Sequence, residues 1–204
     1  MEAVIFGNGE FKTFDIVRKC VDLNDVFTIG VDGGCNYLIE NNIKIDLVIG
    51  DFDSIKYKNF IDKVLNIKKI DMDYSDLEIA TNYCIDKKFS KVYLFGCTGK
   101  RSDHFLFNLR LMNKFFQNNI EVSMIDEFNV ITTFDGERVF EKDNFEFFSL
   151  VPIYENTVVS ISGAEYELNN KELDMISALT LSNKWKKEKV NIRVNKPVFI
   201  YLVF

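Results

Sequence analysis

The 204-residue chain is long enough for one large domain or two small ones. With 47% hydrophobic residues, twenty Phe and eight Tyr it can fill a sizeable core, which excludes a disordered polypeptide. Its net charge of −6 lacks the basic stripe that nucleic acid demands, and no segment approaches the ~18 apolar residues of a membrane span, so neither is an expected partner.

The opening Met1-Glu2-Ala3-Val4-Ile5-Phe6 reads as a first strand rather than a signal peptide, and it ends at Gly7-Asn8-Gly9. A second apolar run, Phe27 to Val31, ends at Asp32-Gly33-Gly34. A third, Leu47 to Ile49, ends at Gly50-Asp51. A fourth is placed at Ile67 to Ile70, a fifth at Val92 to Phe95 and a sixth at Glu121 to Ile125. These runs are apolar on consecutive positions, which suits strands covered on both faces of a parallel sheet. Helical patterns lie between them, as over Asp103 to Gln117, where Phe105, Leu109, Met112 and Phe116 fall at helical spacing. The first part is therefore predicted to be an α/β, Rossmann-like doubly wound parallel sheet over residues 1–125.

The pattern changes after residue 126. Phe128 to Phe134 precedes Asp135-Gly136, a hairpin signal. Further short strand-like pieces follow at Arg138–Glu141, Phe145–Val151, Thr157–Ile161, Tyr166–Leu168, Thr180-Leu181, Val190–Val194 and Val198–Phe204. Residues 126–204 are predicted to form a small all-β sandwich. The run Lys184 to Lys189 is expected on a solvated hairpin. Cys20, Cys35, Cys84 and Cys97 are scattered without C-x-x-C spacing, so zinc is not expected and each is read as a small buried hydrophobe in a reducing cytosol.

The residues that carry chemistry are the aspartates at strand ends, because open parallel sheets place ligands at the carboxyl ends of their strands. Asp32 follows the second run, Asp51 and Asp53 the third, Asp71, Asp73 and Asp76 the fourth, and Asp103 the fifth. Converging carboxylates repel one another, and a divalent cation with a preference for hard oxygen ligands removes the conflict. The set thus points to a metal–nucleotide site, although each Asp taken singly also suits a turn or a helix cap. In Gly50-Asp51-Phe52-Asp53-Ser54 an extended chain would turn Asp51 and Asp53 the same way and Phe52 into the core, leaving Ser54 to cap a helix or bind phosphate. Ser75 and Glu78 match a capping box. Gly96 to His104 forms a glycine-containing loop before a helix, whose free N–H groups would attract phosphate, with Arg101 as a planar clamp. The spacing of a P-loop, the G-x-G-x-x-G fingerprint and H-E-x-x-H are all absent. His104 is the only histidine.

Together, Asp32-Gly33-Gly34, Gly50-Asp51-Phe52-Asp53-Ser54, Asp71-x-Asp73-x-Ser75-Asp76 and Gly96 through Asn108 resemble the thiamine pyrophosphokinase (thiamine diphosphokinase) family, in its motif order and approximate spacing. Lys100 departs from a glycine, Ser75 from a threonine and Met72 from a more polar residue, often lysine. The resemblance implies transfer of pyrophosphate from the co-substrate ATP to the thiamine hydroxyl, giving AMP and thiamine diphosphate. It implies Mg²⁺ on Asp51, Asp53 and Asp76, and a base drawn from these or Asp73. It also implies a nucleotide and phosphate site at Asn8, Gly9, Asp32, Gly33, Ser54, Arg101, Asp103 and His104. Thr180, Ser182 and Asn183 would bind thiamine, and Trp185 would stack on a ring or lie at a surface contact. A cytoplasmic homodimer with active sites at the subunit interface is expected. The rival expectations are a diphosphokinase for another alcohol, such as a hydroxymethylpterin, and a non-catalytic nucleotide sensor.

Overall fold

The computed structural model describes residues 1–204, and the chain divides into two compact units, Met1–Glu127 and Phe128–Phe204. In the first unit β1 (Glu2–Phe6), β2 (Phe27–Val31) and β3 (Leu47–Gly50) are almost wholly buried, as their unbroken apolar runs demand. They alternate with α1 (Asp15–Cys20), α2 (Gly34–Glu40) and α3 (Lys58–Ile61). Next come β4 (Leu65–Lys68), α4 (Asp76–Asp86), β5 (Lys91–Phe95), α5 (Ser102–Gln117) and β6 (Glu121–Ile125).

All neighbouring strands run parallel, in the order β4-β3-β2-β1-β5-β6. The chain winds outward from β1 to β4 and then restarts on the other side of β1 with β5. The gap between the carboxyl ends of β1 and β5 is thus a topological switch point, where open sheets leave a crevice. β4 begins two residues before the position read from the sequence; it is the exposed edge strand, so its sequence is less uniformly apolar.

Two glycines permit close approach at that crevice. A Cβ on Gly9 would stand 2.4 Å from the Thr98 carbonyl oxygen, and one on Gly34 would stand 2.0 Å from that of Phe6. The loop after β1 is stitched to β5 by the Gly7 N–H on Phe95 O at 2.8 Å and the Gly9 N–H on Gly96 O at 2.7 Å. Beneath it, the Phe6 ring stacks on Phe14 and Phe95 with centroids 5.4 and 5.3 Å away.

The second unit is antiparallel throughout: β7 (Asn129–Glu141), β8 (Phe147–Pro152), β9 (Thr157–Ser162), β10 (Leu168–Leu173), β11 (Asn183–Lys184) and β12 (Lys189–Val203). β8 and β9 alternate buried and half-buried positions, as strands with one covered face do. β12 pairs with β7 along its length, but its first half also pairs with β9 and its second half with β8. Its register shifts between Val194 and Val198, where Pro197 has no N–H to offer a ladder. The Asn195 carboxamide there accepts from the Val158 N–H at 2.7 Å.

This bulge explains a misreading. Asp135-Gly136 is not a hairpin turn: β7 runs straight through it, with Gly136 at φ 69, paired to β12 on both sides of the bulge. Val190–Val194 and the run expected at Val198–Phe204 likewise fall on a single strand, which ends at Val203. Thr180-Leu181 is a turn rather than a strand, and the strand expected at Tyr166–Leu168 starts only at Leu168. Phe134, Phe148, Val159, Ile192, Val198 and Ile200 anchor the core of this unit.

Candidate active site

A cleft of about 610 Å³ opens in the first unit at the carboxyl ends of β1, β2 and β5. Its wall includes Asn8, Gly9, Asp32, Asp76, Arg101, Asp103 and His104, all singled out in the sequence as strand-end or loop residues. Ser75, Thr98, Lys100, Phe107 and Asn108 complete it. Gly33 lies just behind the wall, where a Cβ would meet the Asn8 carboxamide at 2.2 Å.

Asp76 is placed by its helix. Ser75 is the N-cap of α4, its hydroxyl accepting from the Glu78 N–H at 3.1 Å, so Asp76 stands in the first turn. The reciprocal half of the capping box is replaced by a Glu78–Lys114 ion pair at 3.4 Å. Burial pushes the Asp76 carboxyl above its ordinary range; Lys69 pulls it back, while the charges of Asp32 and Asp51 push it further up. The Lys69 ammonium lies 3.6 Å from Asp76 Oδ1. Asp32 Oδ1 and Asp76 Oδ1 are buried with no hydrogen-bond partner. Asp32 itself adopts φ 49 and donates its N–H to Ile49 O at 2.8 Å, which locks the end of β2 to β3.

Asp51 and Asp53 do not lie on an extended strand. Phe52 has φ 70, and the Asp53 N–H folds back onto Asp51 Oδ1 at 2.9 Å. The residue that anchors this loop in the core is Ile55, not Phe52, which is only half-buried. Asp53 and Ser54 are exposed. Asp73 is also exposed, its N–H on Asp71 Oδ1 at 2.9 Å. Neither these three nor Asp51 forms part of the cleft wall.

The loop from Gly96 to Arg101 turns through left-handed conformations at Gly96, Gly99 and Lys100. Arg101 stands at the N-cap of α5 without a side-chain cap, which leaves the start of the helix available to an anion, although the His104 N–H is taken by the Asp103 carboxylate. Its guanidinium forks onto Asp103, at 2.5 Å to Oδ2 and 3.1 Å to Oδ1, and this holds the Asp103 carboxyl down at about 2. Asn108, buried on α5, donates to Cys97 O at 2.8 Å and braces the loop. Burial pushes the Cys97 thiol up to about 12, so it stays neutral.

Sequence reading missed three supporting residues. Lys69 had no signal beyond a charge at a strand end. Asn36, buried on α2, donates to Ser54 O at 3.0 Å and accepts from the Lys56 N–H at 2.9 Å, gripping the loop that carries Asp51 and Asp53. The Tyr37 hydroxyl donates to Gly9 O at 2.8 Å.

Residues 21–124 match the model of the thiamin pyrophosphokinase catalytic domain. The chain belongs to the thiamin pyrophosphokinase family. Residues 138–199 match that family's vitamin B1 binding domain. A thiamine pyrophosphokinase of Bacillus subtilis (strain 168) is 35% identical over 164 residues, 76% of this chain and 77% of that protein. The crystal structure of a Bacillus subtilis thiamine pyrophosphokinase superposes with a TM-score of 0.88 at 28% identity, covering 100% of this chain and 98% of the other. That of a Geobacillus thermodenitrificans thiamin pyrophosphokinase gives 0.85 at 24% identity, covering 100% and 97%, and supports the fold.

Within the vitamin B1 binding match of this thiamin pyrophosphokinase relative, the three residues expected to meet substrate differ. Thr180 is buried, its hydroxyl on Leu150 O at 2.7 Å. Asn183 is 3% exposed, and its carboxamide is engaged at both ends: Oδ1 accepts from the N–H groups of Tyr166 at 3.1 Å and Lys184 at 2.9 Å, and Nδ2 donates to Tyr166 O at 2.9 Å. Ser182 is exposed, at φ 54. Trp185 packs edge-on against Phe148 with centroids 5.1 Å apart and joins the core of this unit.

Proposed function

We propose that the chain transfers a pyrophosphoryl group from ATP to the hydroxyl of thiamine, giving thiamine diphosphate and AMP. The observation that carries this reading, beside family membership, is the cleft at the switch point. It sets buried, unpartnered carboxylate oxygens of Asp32 and Asp76 across from the uncapped start of α5. The first arrangement suits a cation and the second suits phosphate. On this reading the first unit is a Rossmann-like catalytic domain over residues 1–125. Residues 126–204 form a β-sandwich that binds thiamine, with Ser182 as its accessible polar contact.

Mg²⁺ fits the donor set. No group of three or more His, Cys, Asp or Glu side chains converges closely enough to hold a metal alone. Mg²⁺, however, ordinarily takes one or two carboxylates and fills its shell with water and substrate phosphates. Asp76 and Asp51, with Asp32 beside them and Asp53 on the adjoining turn, would hold it. When bound, it supplies neutralisation of polyphosphate charge.

The remaining work falls to the chain's own residues. Asn8 and Gly9, pinned by Tyr37, and the loop braced by Asn108 confine the nucleotide. N–H groups of α5 and the Arg101 fork receive phosphate oxygens, Arg101 exchanging part of its contact with Asp103. The thiamine oxygen bonds to the β-phosphorus as the bridge to the α-phosphate breaks and AMP leaves. The hydroxyl proton passes to a carboxylate of the set Asp51, Asp53, Asp73 and Asp76. Such transfers rest on positioning and charge stabilisation. A cytoplasmic homodimer completes the proposal, to be checked by light scattering.

The test is direct. Purified protein with ATP, Mg²⁺ and thiamine is expected to release AMP and thiamine diphosphate in equal amounts. D51N and D76N are each expected to lose at least about a hundred-fold in turnover with the fold retained. AMP formation with another alcohol but not thiamine would refute the substrate, and near-normal D76N turnover would remove Asp76 from the site.

A further inference from the structure

Lys69 is a half-buried cation beside these carboxylates, with 12% of its side chain exposed. Lysine is rarely buried unless paired. Its backbone N–H donates to Gly50 O at 2.9 Å, tying the residue after β4 to the residue before Asp51. Its ammonium faces Asp76 Oδ1 at 3.6 Å, well beyond the roughly 2.7–2.9 Å of a tight charge-assisted hydrogen bond. Asp32 Oδ1 is buried with no hydrogen-bond partner, and Lys69 is the only partner of Asp76 Oδ1, at a long 3.6 Å. Asp32 and Asp51 are the two like charges that act on Asp76. A structural ion pair at such a site would be short and would satisfy its oxygens, because removing two charges from water is otherwise costly. This one is loose, made by a compact ammonium on a flexible four-carbon stem.

We propose that Lys69 is a tethered counter-ion. In the nucleotide-free protein its ammonium neutralises the face formed by Asp32, Asp51 and Asp76, and it competes with a divalent cation for Asp76. Metal is then taken up together with the nucleotide polyphosphate rather than ahead of it. The reason is charge: three carboxylates and one ammonium hold a divalent ion weakly, whereas the arriving polyphosphate supplies enough negative charge for both cations. This inference rests on the reading of the cleft as a metal–nucleotide site.

The test titrates the full chain with Mn²⁺ and follows the free ion by its paramagnetic resonance signal, without nucleotide and with a non-hydrolysable ATP analogue, uptake in the second arm being the loss of signal beyond that of the analogue alone. Without nucleotide, K69M is expected to bind Mn²⁺ about ten-fold or more tightly than the unaltered protein, since a half-buried positive charge beside the site is gone. K69R, which restores the charge, should return to the weak affinity. K68M, altering the exposed neighbour, should match the unaltered protein, which separates a local effect from net charge. K69Q carries the same comparison if K69M does not fold. Equal nucleotide-free affinities for K69M or K69Q and the unaltered protein, or an equal gain in K68M, overturn the role of Lys69. If the unaltered protein takes up Mn²⁺ with the analogue, the metal–nucleotide reading survives that loss. If it takes up none even then, both fail together.

Discussion

Replacing Asn183 with Ala separates bracing from substrate contact. The carboxamide joins β11 to the Tyr166 backbone by two hydrogen bonds, at 3.1 and 2.9 Å, and caps the Lys184 N–H at 2.9 Å. The Ala variant forfeits the two cross-links and leaves part-buried backbone groups of Tyr166 unpaired. At roughly 1 kcal/mol net per bond, with a further penalty for an unsatisfied partner, the loss is about 2–3 kcal/mol. For a chain of this size that lowers the melting temperature by roughly 4–12 °C. Trp185, the sole tryptophan, sits against Phe148 in the same unit and reports its unfolding by fluorescence. The urea midpoint should fall with an unchanged slope. An unchanged midpoint together with lost thiamine binding would refute the reasoning and make Asn183 a substrate ligand.

Other expectations follow from the cleft. S75A removes the α4 N-cap and should cost about 1 kcal/mol in chemical denaturation; turnover should fall as well, because Asp76 is carried on that first turn. The Asp103 carboxyl, held down at about 2 by the Arg101 fork, contributes stability present above the ordinary carboxylate value and lost as pH falls through about 2. In R101A its titration, followed by carbon NMR of the side chain, should return to the ordinary value; a midpoint that stays near 2 would show that the fork is not the cause.

The parallel sheet was legible because β1, β2 and β3 are buried on both faces and must be apolar at every position. Ser75 was legible because a cap needs a particular side chain at a particular spacing. The bends of the second unit were not. Asp135-Gly136 has the composition of a turn, and only the partner strand, with its bulge at Asn195 to Pro197, keeps it within β7. Phe52 was misassigned for a similar reason: alternation presumes an extended chain, and its positive φ breaks that premise.

The sequence by itself determined the family resemblance, the supply of strand-end aspartates and the phosphate loop before α5, because these depend on residue type and local spacing. The tertiary structure decided which of them meet. Strand order brings the ends of β1, β2 and β5 together, so Asp32 and Asp76 line one cleft while Asp53 and Asp73 are exposed outside its wall. It also decided that Lys69 is set, half-buried, beside Asp76 and that the Asn183 amide is engaged by Tyr166. Burial and pairing between distant segments are properties of packing, and no local pattern encodes them.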